Sequence, residues 1–477
     1  MKSASISNFF DRPAGQSIGP NQLRVILVLC FAFASIIGAL QRDVMLGFDE
    51  ITHISYIAHI QSTGVAWPRL ESLRILEPFT FHFTDSASYL NHPPTYYFAL
   101  AQLGPTIEGN PGAALGLRLL NVAIATVGFG ALLALGASLG LSRIEEYAWV
   151  IPLLLAPVLT PLAGSVNNDN LAIASGSVAL LALHRLVATN KSRWLLIAAA
   201  AMICAGFAKL TGFILISGLV AGVLAIMVWR QSYRRWWLPV AAAAALVGAA
   251  PYLAFFMQYG SPAPETPGQI GLLTNPLPFD ELTKDATGTL SFPAYILAFA
   301  KTFIQEWEPV VIERTPLQLA MLSAPVVALI CALAGAKGAA TRLWRKEGSP
   351  TDTVVVAGLA VVLVTAAIHM VFSYRHHVHY GFVEGAPTYS YSPDAYPRYY
   401  MPLGAVVPLA CLLFLASLRK TRAHAALTSA LIAGPVALII FGSPSEAQHA
   451  ALAQKKHGLD IYRTHVTGAP KGAALEH

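Results

Sequence analysis

Apolar runs of bilayer length, broken by short polar connections, repeat along almost the whole chain. They occupy residues 23–40, 117–139, 147–166, 171–187, 194–208, 210–229, 236–257, 317–334, 354–372, 399–418 and 425–441. Each is near the roughly 20 residues that a helix needs to cross a hydrocarbon core, or somewhat short of it. Backbone polar groups in lipid must be satisfied within their own segment, so runs of this kind become helices. The pattern predicts an all-α polytopic membrane protein with about eleven transmembrane helices.

The polar residues between the runs orient them. Five connections carry basic residues: Arg143; Lys191 and Arg193; Arg230, Arg234 and Arg235; Lys337, Arg342, Arg345 and Lys346; Arg419, Lys420 and Arg422. Lys and Arg mark cytoplasmic loops, and with the N-terminus inside all of these fall on that side. The parity holds only if residues 92–104 do not cross completely. That stretch opens on Pro93-Pro94 and is rich in Tyr and Phe, which suits a helix in the interface or dipping in from it. Residues 292–307, interrupted by Lys301, read the same way. The outer face then owns three long connections, 41–116, 258–316 and 374–398, and two tight ones, at Asn167-Asn168-Asp169-Asn170 and at Lys209. Nearly every polar residue that topology leaves unexplained sits there. Residues 1–22 read as a cytoplasmic segment without a cleavable signal, and 443–477 as a polar outer tail.

Composition agrees, with 55% hydrophobic residues, 12% charged and a mean hydropathy of +0.56, far from a soluble chain. Cys30, Cys204, Cys331 and Cys411 all lie inside apolar runs, where a thiol acts as a small hydrophobe and no disulfide framework is expected. The net charge of +6 is scattered through the connections, so it encodes topology and not a nucleic-acid partner.

The outer connections hold the candidate chemistry. Asp49 and Glu50 follow the first run, with His53 one helical turn beyond Asp49, so that both can face one site. The plain alternative is that these acids mark the end of a span. Ile51, Ile54, Ile57 and Ala58 fall on one side of a helix and Asp49, His53 and Tyr56 on another, an amphipathic pattern suited to a helix lying on the membrane. Glu50 points about 100° away from Asp49 on an ideal helix, which leaves one of the two as a base. Asp169 lies among residues that turns favour, so an ordinary hairpin is its alternative. Lys209 interrupts an otherwise continuous apolar stretch, 194–229, at the outer boundary; a snorkelling lysine is the competing reading. Arg398 opens a run from the outer side, where cations are less expected, and guanidinium is matched to phosphate. Arg375, His376, His377 and His379 are phosphate or metal ligands by type, or a solvated loop.

These residues come in a recognisable order: Asp49-Glu50 after the first run, Asn91-His92-Pro93-Pro94-Thr95-Tyr96-Tyr97, Leu117-Arg118-Leu119-Leu120-Asn121, Asn168-Asp169 after the third run, Lys209, and Pro397-Arg398-Tyr399-Tyr400-Met401-Pro402. In that order the chain resembles the GT-C superfamily of membrane glycosyltransferases, most of all the branch with the protein O-mannosyltransferases and the lipid A aminoarabinose transferases. The resemblance covers residues 23–418 and departs from the family in showing no large soluble outer domain at the C-terminus. It implies a GT-C-type fold with interfacial helices in the first outer loop. Residues 23–257 would form the catalytic transmembrane module, 258–316 a periplasmic loop with an interfacial helix, and 317–442 the C-terminal helices. Active site and C-terminus would be periplasmic, on the bacterial inner membrane. The activity implied is an inverting transfer of a sugar from a polyprenyl-phosphate donor to an acceptor hydroxyl of a glycan, lipid or protein. Asp49 would be the base, with Glu50 as runner-up. Lys209, Arg398 and Arg375 would hold the donor phosphate, and His53, His92, Tyr96 and Asp169 would line the cavity or orient the reacting groups. No cofactor is called for with certainty; family members differ in metal use, and Asp49, His53 and Asp169 could hold a divalent ion.

Three other classes are weighed beside this one. A polyprenyl-diphosphate oligosaccharide ligase or polymerase needs the same kind of cations, whose number does not separate one phosphate from two. A transporter or lipid flippase usually carries carboxylates inside its spans, and the runs above hold none away from their ends. A non-catalytic scaffold needs none of the outer polar residues. No Gly-rich loop follows a strand, so a nucleotide sugar is not expected as direct donor.

Overall fold

The computed structural model describes residues 19–42, 44, 49–141, 143–154, 159–269, 291–296, 299, 316–377, 382–383, 386–387, 397–419 and 421–441. Expectations that fall on segment 1–18, on Lys301 and most of loop 258–316, on His379 and most of 374–398, and on the tail 443–477 lie outside the described residues, as do the side chains of Arg375, His376 and His377.

Among the described residues the helices are α1 Pro20–Gln41, α2 Glu50–Thr63, α3 Thr95–Leu103, α4 Ala113–Ser138, α5 Arg143–Leu154, α6 Leu159–Ala163, α7 Asp169–Thr189, α8 Arg193–Ala208, α9 Leu210–Trp229, α10 Trp237–Tyr259, α11 Pro316–Trp344, α12 Pro350–His377, α13 Val406–Ser417 and α14 Arg422–Phe441. The apolar runs of the sequence are helical over nearly all their described residues, as a multi-pass membrane chain requires. Among the described residues seven helices are long and apolar enough to cross a membrane, namely α1, α4, α7, α9, α10, α12 and the 327–344 part of α11, and α8 and α13 are shorter apolar helices. The run 147–166 is carried by α5 and α6. The run 399–418 opens as a 3₁₀ helix, Pro397–Leu403, before α13; Pro402 has no N–H to give an α-helical ladder.

Side-chain contacts fix which helix ends share a face. At one end Arg24 of α1 meets Glu146 of α5, and Arg419 beyond α13 grips Glu145 with two nitrogens. His184 of α7 bridges Ser138 and Thr351, Arg230 beyond α9 donates to the Gly348 carbonyl, and the Trp237 indole donates to Ser192. The basic connections of the sequence gather here. At the opposite end Arg118 of α4 donates to the carbonyls of Ala39 and Arg42 where α1 stops, and Asn168 donates to the Ala208 carbonyl where α8 stops. The start of α4 is therefore at the same end as the finish of α1. Between them α3, nine residues and about 14 Å long, packs on α2 and is half the length that a ~30 Å core demands.

Close backbone approach packs the bundle. A Cβ on Gly206 of α8 would lie 2.2 Å from the Gly248 carbonyl oxygen of α10, and one on Gly176 of α7 would lie 2.0 Å from the Pro402 carbonyl oxygen. Lipid supplies no hydrophobic drive between helices, so contacts of this closeness hold them together.

The connection between α1 and α4 forms a second apolar cluster over one end of the bundle. It contains α2, α3 and an antiparallel pair, β1 Arg74–Leu76 with β2 Phe83–Ala87, around Ile54, Ile57, Phe81 and Tyr97. Every residue of α2 from Glu50 to Ala58 is buried. The amphipathic pattern that suggested a helix lying on the membrane is instead answered by protein. The polar side of α2 is taken up by hydrogen bonds, His53 reaching Tyr97 and Tyr56 Oη donating to the His92 carbonyl, and on the other side Ser55 Oγ accepts the Leu76 N–H at 2.8 Å.

Candidate functional site

Four segments far apart in sequence bring charged side chains together beneath this cap. Asp49 caps α2, and its carbonyl accepts the Thr52 and His53 N–H groups that start the helix. Its backbone is left-handed, with φ 58° and ψ 26°, a conformation that Asp tolerates better than most residues but that still needs support from its surroundings. Glu50 supplies that support. Its side chain is wholly buried, and Arg118 grips it with Nε at 2.8 Å and Nη2 at 2.6 Å. Arg118 Nη1 donates to the carbonyls of Ala39 and Arg42 at 2.8 Å each, and the Val166 N–H donates to Glu50 Oε1 at 2.8 Å. One buried ion pair thus ties α1, α2, α4 and the approach to α7.

The carboxylate of Asp49 points the other way. Tyr89 Oη donates to Oδ1 at 3.1 Å and Arg398 Nη2 to Oδ2 at 3.2 Å. Asp169 opens α7, where the helix dipole favours a negative charge. Lys209 Nζ lies 2.8 Å from its Oδ1, and Arg398 Nε 3.7 Å from its Oδ2. Arg398 therefore spans both aspartates. Lys209 stands at the break between α8 and α9 and sits 4.3 Å from the Tyr399 ring centre, with the Arg398 guanidinium 5.6 Å from the same ring.

Asn167-Asn168-Asp169-Asn170 is a buried knot and not an exposed hairpin. Asn167 Oδ1 accepts the Asp169 N–H, and Asn170 donates to the Leu162 and Ser165 carbonyls and to Asn121 Oδ1. Tyr96 Oη closes the knot by donating to Asn121 Oδ1 at 2.6 Å. His53 Nδ1 pairs with Tyr97 Oη at 2.8 Å, and its ring stacks on His92 at 6.0 Å. Burial lowers the pKa of His53 well below the usual histidine value, helped by His92, Lys209 and Arg398. Burial, with Lys209 and Arg398, pushes His92 down to about 3. Both imidazoles are neutral near pH 7, and burial raises the Tyr89 phenol, with Asp49 adding to it.

Asp49, Asp169, Lys209 and Arg398 form one contact cluster, as their order in the sequence suggested. Glu50 is turned into its own pair with Arg118, Tyr96 into the asparagine knot, and His53 and His92 into a stack beside the cluster. Among the described residues no group of three His, Cys, Asp or Glu side chains is arranged to hold a metal ion. Asp49 and Asp169 face cations, and His53 faces Tyr97.

Three participants carry no role in the sequence reading. Arg118 was legible as a cation opening an apolar run from the outer side, the same signal that marks Arg398. His369 of α12 pairs with Tyr400 Oη at 2.8 Å and was legible as an ionisable residue inside a run. Tyr89 had no signal, because its meeting with Asp49 is set by the fold of the cap.

No protein-family model matches the chain, and no curated protein matches it. Two solved structures are similar to it, both of ArnT from Cupriavidus metallidurans. The apo structure shares 14% identity with a TM-score of 0.41, over 83% of this chain and 60% of that one, so the chain spans about three-fifths of that protein's length. The structure bound to undecaprenyl phosphate shares 16% identity with a TM-score of 0.34, over 83% of this chain and 78% of that one.

Proposed function

We propose that the protein is an inverting glycosyltransferase that moves a sugar from a polyprenyl-phosphate donor to an acceptor hydroxyl at the outer face of the bacterial inner membrane. The observation that supports this reading is the cluster itself, an accessible carboxylate beside two buried cations at the end of a helical bundle away from the basic loops. The acceptor hydroxyl gives its proton to Asp49 as its oxygen attacks the anomeric carbon. The new carbon–oxygen bond forms while the bond from that carbon to the phosphate oxygen breaks, its electron pair leaving with the lipid phosphate, and configuration inverts. Charge grows on the leaving phosphate, and Lys209 and Arg398 are the cations that meet it. Asp169 orients both cations. Glu50, buried and paired, holds the turn beneath the base instead of acting as one. The neutral imidazoles of His53 and His92 offer hydrogen bonds without further charge.

Residues 23–257 carry the catalytic module in this reading, with Arg375 as a further phosphate ligand. The test is whether purified protein in nanodiscs releases free polyprenyl phosphate from a panel of polyprenyl-phosphate monosaccharides, beside Asp49→Asn. Release that the variant loses supports the reading. Silence with every donor, with thermal stabilisation by polyprenyl diphosphates alone, moves the assignment to an oligosaccharide ligase.

A further inference from the structure

The carboxylates of this site differ in how tightly they hold their cations. Glu50 is 0% exposed and Asp169 2%, each in contact at 2.6–2.8 Å, whereas the Asp49 side chain is 43% exposed and meets Arg398 through one nitrogen at 3.2 Å. A half-exposed ion pair contributes little, because water screens it and repays its loss. A phosphate offers guanidinium a two-point, charge-assisted contact that a single carboxylate oxygen does not. The pairing of Arg398 with Asp49, half-exposed and made through one nitrogen, is open to exchange with an anionic ligand. Asp169 stays beside Arg398 as a second, buried carboxylate, 3.7 Å from its Nε.

We propose that Arg398 caps the base in the resting protein and surrenders it to the donor phosphate, so that donor binding itself switches Asp49 on. Before the donor arrives, Oδ2 accepts from Arg398 and Oδ1 from the Tyr89 hydroxyl, so the lone pair of Oδ2 that faces Arg398 is taken. When the lipid phosphate draws Arg398 to itself, Oδ2 is released toward the acceptor while Tyr89 keeps the carboxylate oriented through Oδ1. The donor then binds before a productive acceptor, and an acceptor cannot be activated in an empty site. This inference rests on the proposed function and adds to it the order of events.

The exchange has a signature in binding. If polyprenyl phosphate must displace Asp49 from Arg398, removing the competing carboxylate with Asp49→Asn tightens its binding about three- to fivefold, the size of a weak exposed pair. Part of any such gain could come from plain repulsion between Asp49 and phosphate, so the same change is measured in an Arg398→Gln background, where it should shrink below about 1.5-fold. Should Arg398→Gln bind too weakly to measure, Arg398→Lys, whose single ammonium cannot span both aspartates, serves as the background with the same expectation. Binding is read by calorimetry in nanodiscs with thermal melts to confirm folding. Equal tightening in both backgrounds, or none in either, overturns the switch while leaving the transferase reading intact. Failure of polyprenyl phosphate to bind any of the proteins overturns both.

Discussion

Replacing Arg118 by Met removes a guanidinium that makes four short hydrogen bonds and strands the carboxylate of Glu50 in a place with no water. Methionine keeps the apolar stem and roughly the length, so the change is chiefly one of charge and donors. Taking one partner from a buried ion pair costs about 3–5 kcal/mol, because the remaining charge is desolvated and uncompensated. The lost hydrogen bonds to the carbonyls of Ala39 and Arg42 add to it by about 1 kcal/mol each. A loss of this size is read as a fall in melting temperature in detergent. The double variant Glu50→Leu/Arg118→Met removes both charges, and an apolar pair in place of a buried ion pair is often neutral or better. It should regain most of the lost stability, so that the two changes are far from additive. Its fold returns without the clamp on the turn at Asp49, and if Asp49 is the base of the proposed transfer, activity stays low, by up to about 100-fold, because the carboxylate is misplaced. Purely additive effects on melting temperature would refute the argument, since they mean that the two residues do not form a buried pair.

If the proposed function holds, Asp49→Asn lowers transfer by about 10²–10⁴-fold with the fold intact, measured as polyprenyl phosphate released, because the amide keeps the shape and loses the proton affinity. Lys209→Met leaves Asp169 buried with the Arg398 Nε 3.7 Å away, and under the proposed function should raise the donor KM as well as lower kcat in the same assay. Gly176→Ala sets a Cβ 2.0 Å from the Pro402 carbonyl oxygen, which must push the Arg398 segment off α7; the melting temperature should fall by the equivalent of about 1–3 kcal/mol, with a matching loss of rate. Because His53 and His92 are neutral in the fold, an unfolded chain binds protons below pH 6.5 that the native protein refuses, down to about pH 3 for His92. Stability is therefore complete above pH 6.5 and lost as the pH falls, at up to about 1.4 kcal/mol per unit per histidine, and His92→Phe should flatten the melting temperature against pH.

Much of this protein is legible along the chain because its rules are local. Length and hydropathy mark each apolar run, and Lys and Arg mark one side of the membrane. A charge placed where neither rule wants it, as at Asp49, Lys209 or Arg398, signals a site. The reading of α2 shows the limit of local rules. Its polar side, at His53 and Tyr56, looks like a face for water, yet the Tyr97 hydroxyl and the His92 carbonyl satisfy it inside the cap. A period in the sequence says which residues share a side, not what covers that side.

The sequence by itself determined the helical membrane class, the segregation of basic loops, and the set of charged residues at the opposite end. Only the tertiary structure decided how those charges pair. Asp49 and Glu50 are neighbours of the same type, but Glu50 meets Arg118 across 68 residues and Asp49 meets Arg398 across 349. Such partners are fixed by where helix ends land once the bundle packs, through close contacts such as Gly176 on Pro402. Burial then separates the two: Glu50, which solvent does not reach, is locked to Arg118, and Asp49, whose side chain is 43% exposed, keeps a face toward solvent.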